Sequence, residues 1–419
     1  MTRFLYALAW LVATPFVYLR LLWRSRKQPG YRDRIGERFG SYPPALPGPY
    51  IWIHAVSVGE TRAALPLVDE LKARKPRHHI LVTHMTPTGR ATSRDLFGDR
   101  VERAWLPYDM GFAVRRFFAH YRPELGIILE TEIWPRLLEE AARAGVPVVL
   151  ANGRLSERSA RRYERAPALT RWAFSNLAGV AAQTEEDARR FERIGARAPA
   201  VTGNVKFDLP VPDAMIERGE RFRERFGRER TIWVVGSTRD GEEALFLDAF
   251  ERAALPPEVL LVIVPRHPQR FDDVARLFAA RGLAHARRSD ESAVGSATRV
   301  VIGDSMGEML AYYFAADVVI VGGSFLPFGG QNLIEPCALA RPVIVGPHTY
   351  NFSEAAESAI AAGAALRVAD AGEALATAAG LDATTRREMG RKGREFVQAH
   401  RGAVQRLADW IEDTAQPKR

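Results

Sequence analysis

From residue 50 onward, short runs of Val, Ile and Leu alternate with longer stretches in which apolar residues recur every three or four positions. The first pattern belongs to strands buried on both faces, the second to amphipathic helices. IWIHAV (51–56), HILVTH (79–84) and LGIILE (125–130) read as strands, with a helix from Glu60 to Lys75 after the first. PVVLANG (147–153) and GVAAQT (179–184) continue the series. The alternation breaks at Asp208-Leu-Pro-Val-Pro212, where two prolines disfavour regular structure. It restarts with TIWVVGS (231–237), VLLVIVP (259–265), RVVIGD (299–304), DVVIVGG (317–323) and PVIVGP (342–347). A helical pattern runs from about Asp382 to Thr414. The expected architecture is α/β, with two Rossmann-like domains at 36–208 and 209–419 and a ligand cleft between them.

The first 35 residues stand apart. Phe4 to Leu19 carries no charge, and Arg20, Arg24, Arg26, Lys27, Arg32 and Arg34 follow. The uncharged run is slightly short of the ~20 residues that span a bilayer. Trp10, Tyr18 and Trp23 suit a membrane interface. The segment reads as a membrane anchor, with a buried helix or a signal peptide as the other readings. The basic residues after the run place the bulk of the chain on the cytoplasmic side and on anionic headgroups.

Composition narrows the class. With 419 residues, 47% hydrophobic and 26% charged, the chain is neither disordered, collagen-like nor a polytopic membrane protein. Its net charge of +9 calls for an anionic partner: phosphate, anionic lipid or nucleic acid. Nucleic acid is not expected, because the arginines are scattered and no recognised RNA or DNA module is present. Cys337 is the single cysteine, which excludes a disulfide framework and suits a reducing compartment.

Candidate chemistry collects where strands end. Glu60 follows the first strand and opens a helix, so it is either a residue favoured by the helix dipole or a general base. His54, inside the strand, reads as a packed core histidine. Glu130 and Glu132 close another strand before Trp134-Pro135, as a cap or as a catalytic acid pair. Gly236-Ser237-Thr238 precedes a helix and can offer backbone N–H groups to a phosphate. The spacing is neither that of a P-loop nor that of a dinucleotide fingerprint. Arg266 and His267 end a strand as a basic pair, and Met306-Gly307-Glu308 marks another strand-to-helix junction. Asn332 and Glu335 follow two glycine pairs, and Glu335 can accept hydrogen bonds from a ribose diol. The histidines show no H-x-x-x-H spacing, so metal-independent chemistry and no cofactor are expected.

Together, HAVSVGE (54–60), ETEIWP (130–135), GNVKFD (203–208), PRHP (265–268), GDSMGEM (303–309) and GGQNLIEP (329–336) resemble the 3-deoxy-D-manno-octulosonic acid (Kdo) transferases of lipid A biosynthesis. The resemblance runs from the N-terminal segment to at least His348. It implies a GT-B fold, a CMP-Kdo donor, inversion at the anomeric carbon, and a lipid A precursor (lipid IVA) as acceptor at the inner membrane. It assigns Glu60 as general base, and Glu130 and Glu132 to a second acidic motif. Donor binding falls to Ser237, Arg266, His267, Met306, Gly307, Glu308, Asn332 and Glu335. Lys206, at the domain junction, becomes a candidate contact for the donor phosphate or the Kdo carboxylate. Two other readings accompany this one: a GT-B enzyme using a UDP-sugar and a different lipid, and a soluble sugar-nucleotide epimerase or hydrolase.

Overall fold

A computed structural model describes residues 2–26, 28–290 and 294–415. The chain divides into two compact units, one formed by Met1–Leu209 with Arg401–Arg419 and the other by Pro210–His400.

The first unit holds a seven-stranded sheet of β1 (Tyr50–His54), β2 (His79–His84), β3 (Glu102–Trp105), β4 (Pro123–Leu129), β5 (Val148–Gly153), β6 (Gly179–Ala182) and β7 (Ala200–Val201). Its order is β3-β2-β1-β4-β5-β6-β7, and every pairing is parallel. β1 is buried along its whole length, and the period of two divides it between two cores. Tyr50 and Trp52 join one cluster with Leu81 and Phe117, while Ile51 and Ile53 join the other with Val82 and Leu67. Gly126 of β4 makes room for an indole: a Cβ there would stand 2.7 Å from Trp52 Cε3.

The second unit repeats the plan with β8 (Thr231–Thr238), β9 (Val259–Pro265), β10 (His285–Arg287), β11 (Val300–Ile302), β12 (Val318–Val321), β13 (Val343–Val345) and β14 (Ala365–Arg367). The order is β10-β11-β9-β8-β12-β13-β14, again all parallel. Two seven-stranded parallel sheets, each flanked by helices, give the expected two-Rossmann architecture.

The expected boundary of the second domain at 419 needs correction. The helical stretch breaks at Arg401-Gly402, where Gly402 takes φ +86°, and the last helix, Ala403–Ala415, belongs to the first unit. Val404, Leu407 and Ile411 are buried there in one core with Val68, Leu71 and Val149. Asp208 caps this helix, accepting from Gly402 N and Val404 N at 2.7 Å each.

Helix α1 (Thr2–Ser25) is long and apolar enough to cross a membrane by length and composition. It is nevertheless docked along one side of the first unit. Tyr6 donates to Asp109 at 2.6 Å, Trp10 stacks on Tyr108, and Leu21 joins a small core with Tyr31 and Met110. Its other side presents Phe4, Leu8, Leu11, Phe16, Leu19 and Trp23 to the outside.

Candidate active site

In an open parallel sheet, ligands collect beyond the carboxyl ends of the strands where the strand order reverses. In the first unit that point lies between β1 and β4, the two strands that lead into Glu60 and into Glu130 and Glu132.

β1 passes through Ala55 and Val56 into α2 (Val58–Arg74). Ser57 is the N-cap and Glu60 the third helical residue of a capping box. The Glu60 carboxylate accepts from Val56 N at 2.5 Å and from Ser57 Oγ at 3.1 Å. The Thr86 hydroxyl donates to the Val56 carbonyl at 2.8 Å, so both backbone groups of Val56 are held. Glu60 thus stands in the first turn, where the helix dipole favours it, and the capping box is an addition that the sequence reading did not include. It is also electrostatically unusual. Burial, followed by the charges of Glu130 and Glu132, pushes its carboxyl up to about 7, against the pull of the Val56 and Ser57 donors.

Glu130 is different. It sits in the turn after β4 with φ +62°, uncommon for a residue with a side chain. Lys206 donates to its Oε1 at 2.7 Å. Burial alone would raise the Glu130 carboxyl, but the Lys206 ammonium, its hydrogen bond and the Arg154 charge hold it below the usual range. Glu132 is pushed up, first by burial and then by Glu130. The three acids are therefore tuned apart: an ionised Glu130 beside a Glu60 poised near neutrality, the pattern from which acid–base roles are read. Lys206, a candidate contact for the donor phosphate or the Kdo carboxylate, engages Glu130 here, because the 3-10 turn Val205–Asp208 lies against this unit's core. Asn152 positions the turn, accepting from Val205 N at 3.1 Å. His54 is fully buried and kept neutral, as a core histidine.

The second unit has its own reversal point, between β8 and β12. Here the strand ends approach closely. Gly322 N donates to Gly236 O at 2.8 Å, and a Cβ on Gly236 would stand 2.5 Å from Tyr313 Oη. Ser237 bulges out of β8 at φ +59°. Arg239, Arg266 and Arg270 lie around His267, just past the end of β9. Burial and then these three arginines hold the His267 imidazole below its usual range. Arg270 is itself paired with Asp240 and Glu243, and the cluster as a whole, with Arg239 and Arg266, suits a phosphate.

Met306 is exposed and Gly307 takes φ +81° with open space at its Cα. Glu308, expected among the donor contacts, is buried, and its carboxylate accepts from Arg218 at 2.7 Å and Arg288 at 3.0 Å. That motif therefore turns its backbone outward and its carboxylate inward. Asn332 lies just before the helix Ile334–Ala338 rather than within it, and caps Ile334 N at 3.0 Å; Glu335 stands in the first turn.

Sequence reasoning missed Glu242 and Arg154. Glu242 is fully buried and accepts from Gly323 N at 2.6 Å, Arg239 N at 2.8 Å and Phe325 N at 2.9 Å. It fixes the loop after β12 to the loop after β8. An acidic residue just after Gly241 at a helix start was the available signal.

Comparison with known proteins identifies the family and the fold. Residues 33–209 match the family described as 3-Deoxy-D-manno-octulosonic-acid transferase (kdotransferase). A 3-deoxy-D-manno-octulosonic acid transferase of Bordetella pertussis is 44% identical over 429 residues, covering 99% of this chain and 99% of the relative. The chain belongs to the Kdo transferase family. A Kdo transferase of Haemophilus influenzae is 38% identical, with 98% of each chain covered. Among solved structures, Anabaena HepE in complex with UDP superposes with a TM-score of 0.61 at 15% identity, covering 88% of this chain and 100% of that one, a likeness of fold. This Kdo transferase is accordingly a glycosyltransferase of lipopolysaccharide biosynthesis with a GT-B fold, and the UDP-sugar and epimerase readings are not retained.

Proposed function

We propose that the protein transfers Kdo from CMP-Kdo to a hydroxyl of the lipid A precursor lipid IVA, with inversion and without a metal ion. The observation that carries the catalytic part is the Glu60 carboxyl, raised to about 7 at the reversal point of the first sheet. A carboxylate of that basicity takes a proton from an attacking hydroxyl at neutral pH far better than one at 4.5. Glu130, kept ionised by Lys206, maintains that basicity, and Glu132 lies alongside. The acceptor oxygen bonds to the Kdo anomeric carbon, the bond from that carbon to the CMP phosphate oxygen breaks, and Glu60 keeps the proton.

CMP-Kdo is assigned to the second unit. Arg266, His267 and Arg270 meet the phosphate charge with backbone groups at Ser237 and Gly307, and Asn332 and Glu335 address the nucleoside. Side-chain and backbone donors thereby take the part that a metal ion plays elsewhere. The exposed apolar side of α1 and the basic residues after it favour attachment to an anionic leaflet, assigned to the cytoplasmic face of the inner membrane.

Mass spectrometry of a tetra-acylated lipid A precursor, incubated with CMP-Kdo and either wild type or Glu60→Gln, tests the reading. A product heavier by whole Kdo units with wild type only is the expected result. Equal product from both proteins removes Glu60 as the base, and no product from folded wild type removes this acceptor.

A further inference from the structure

The helix Pro135–Arg143 begins directly after the Glu130–Glu132 turn, and its start lacks a local cap. Trp134 occupies the N-cap and makes no side-chain cap bond. Free N–H groups in the first turn of a helix need acceptors. Here they find one from 27 residues upstream: Asp109 Oδ2 accepts from Arg136 N at 3.0 Å and Oδ1 from Leu137 N at 2.7 Å. Asp109 is itself only 3% exposed. The same Oδ2 accepts from the Tyr6 hydroxyl of α1 at 2.6 Å, and the Tyr6 ring packs edge-on against Trp172. A second tie runs in parallel, from Arg3 of α1 to Glu139 on that helix at 2.9 Å. The anchor helix and the acidic turn are thus joined through one buried carboxylate.

We propose that Asp109 is a positioning residue for the Glu130–Glu132 turn and that Tyr6 completes it, making α1 a part of the catalytic unit as well as its attachment. The inference rests on the reading of Glu60 and the acidic turn as the catalytic site. Asp109 touches no substrate. It fixes where the helix after the turn begins, and hence where Glu130 and Glu132 stand relative to Glu60. A displacement of ~1 Å at such a point can cost on the order of a hundredfold in rate.

The test uses full-length protein in detergent, as Asp109→Asn and as Tyr6→Phe, which keeps the ring against Trp172. Asp109→Asn should lower kcat at least roughly tenfold, and Tyr6→Phe about threefold, with the KM for CMP-Kdo and the affinity for CMP unchanged. The acid limb of kcat/KM should move to lower pH in both, because Glu130 no longer stands in its place beside Glu60. A loss of folded protein would lower the plateau and leave the limb where it is. Wild-type rates per folded molecule with an unmoved limb in both variants overturn the inference. Glu60→Gln run alongside separates the two readings. If it is active, the base assignment fails; if it is inactive while both variants behave as wild type, only the positioning role fails.

Discussion

Lys206 Nζ stands 2.7 Å from Glu130 Oε1, and this ion pair sets the charge against which Glu60 titrates. Removing the charge should relax Glu60. In Glu130→Gln the largest electrostatic contribution to the raised Glu60 carboxyl disappears, so its pKa falls from about 7 toward the ordinary carboxylate value. The pH profile of kcat/KM should show an acid limb near 7 in wild type and a more acidic one in the variant. Lys206→Met should move the limb the same way, because an unpaired, buried Glu130 takes up a proton. A limb that stays fixed in both variants contradicts the coupling.

Glu60 should also leave a mark on stability. Its folded pKa, about 7, lies above the ordinary value of 4.5, so folding favours the protonated form. Below pH 4.5 both states are protonated and nothing is lost; the cost grows as pH rises toward 7 and is complete above it. Gln preserves the capping box and mimics the protonated acid. Glu60→Gln should therefore raise the melting temperature at pH 8, by roughly a few degrees, with no gain at pH 4. Calorimetric scans at the two pH values check the sign, and equal shifts at both would refute it.

In the second unit, Glu242 holds three backbone N–H groups at the loops after β8 and β12. Glu242→Ala leaves those donors buried without an acceptor, each costing about 1–3 kcal/mol. CMP affinity should fall by at least about tenfold, together with the thermal stability of this unit. Titration calorimetry with CMP reads the first effect. Unchanged affinity in a folded variant would show that the loop does not serve the donor.

Gly329 takes φ +92°, and a Cβ there would collide with Asn351 and Tyr350. Gly329→Ala should distort the turn before Asn332 and weaken CMP binding. Gly380→Ala, a site with nothing near its Cα, serves as the neutral control. Equal CMP affinity in the two variants would separate that turn from the donor site.

The outward side of α1 offers a check on attachment. Leu11→Ser and Phe16→Ser alter residues 71% and 69% exposed, away from Tyr6 and Trp10. They should reduce co-sedimentation with vesicles containing anionic lipid while leaving the fold intact. Undiminished sedimentation would assign attachment to the basic residues alone.

The inner strands could be read from the sequence because burial on both faces demands continuous apolar runs such as VLLVIVP and DVVIVGG. The four strands that the pattern conceals, β3, β7, β10 and β14, are the edges of the two sheets. ERAW and HAR, half-solvated and three or four residues long, carry no such demand. The same contrast holds at the site. Glu60 and Glu130 announce themselves by following strands. Asp109, Arg154 and the pairing of Lys206 do not, because their roles depend on contacts between distant segments; Lys206 and Glu130 are 76 residues apart in sequence. Glu60 kept two readings in the sequence, a helix-dipole residue and a base, and the folded chain gives it the hydrogen bonds of a capping box together with a raised proton affinity.

The return of the last helix to the first unit has a consequence for biosynthesis. Val68, Leu71 and Val149 emerge from the ribosome long before Val404, Leu407 and Ile411, which complete their core. The first unit to begin is thus the last to be finished, and its sheet carries an uncovered apolar flank while the whole of Pro210–His400 is being made. The second unit is in effect an insertion whose flanking residues meet at the Asp208 carboxylate, and because that carboxylate caps the last helix, the ends are joined only as the flank is sealed. A nascent chain stalled short of residue 403 would expose that surface to chaperones; one released a dozen residues later would not.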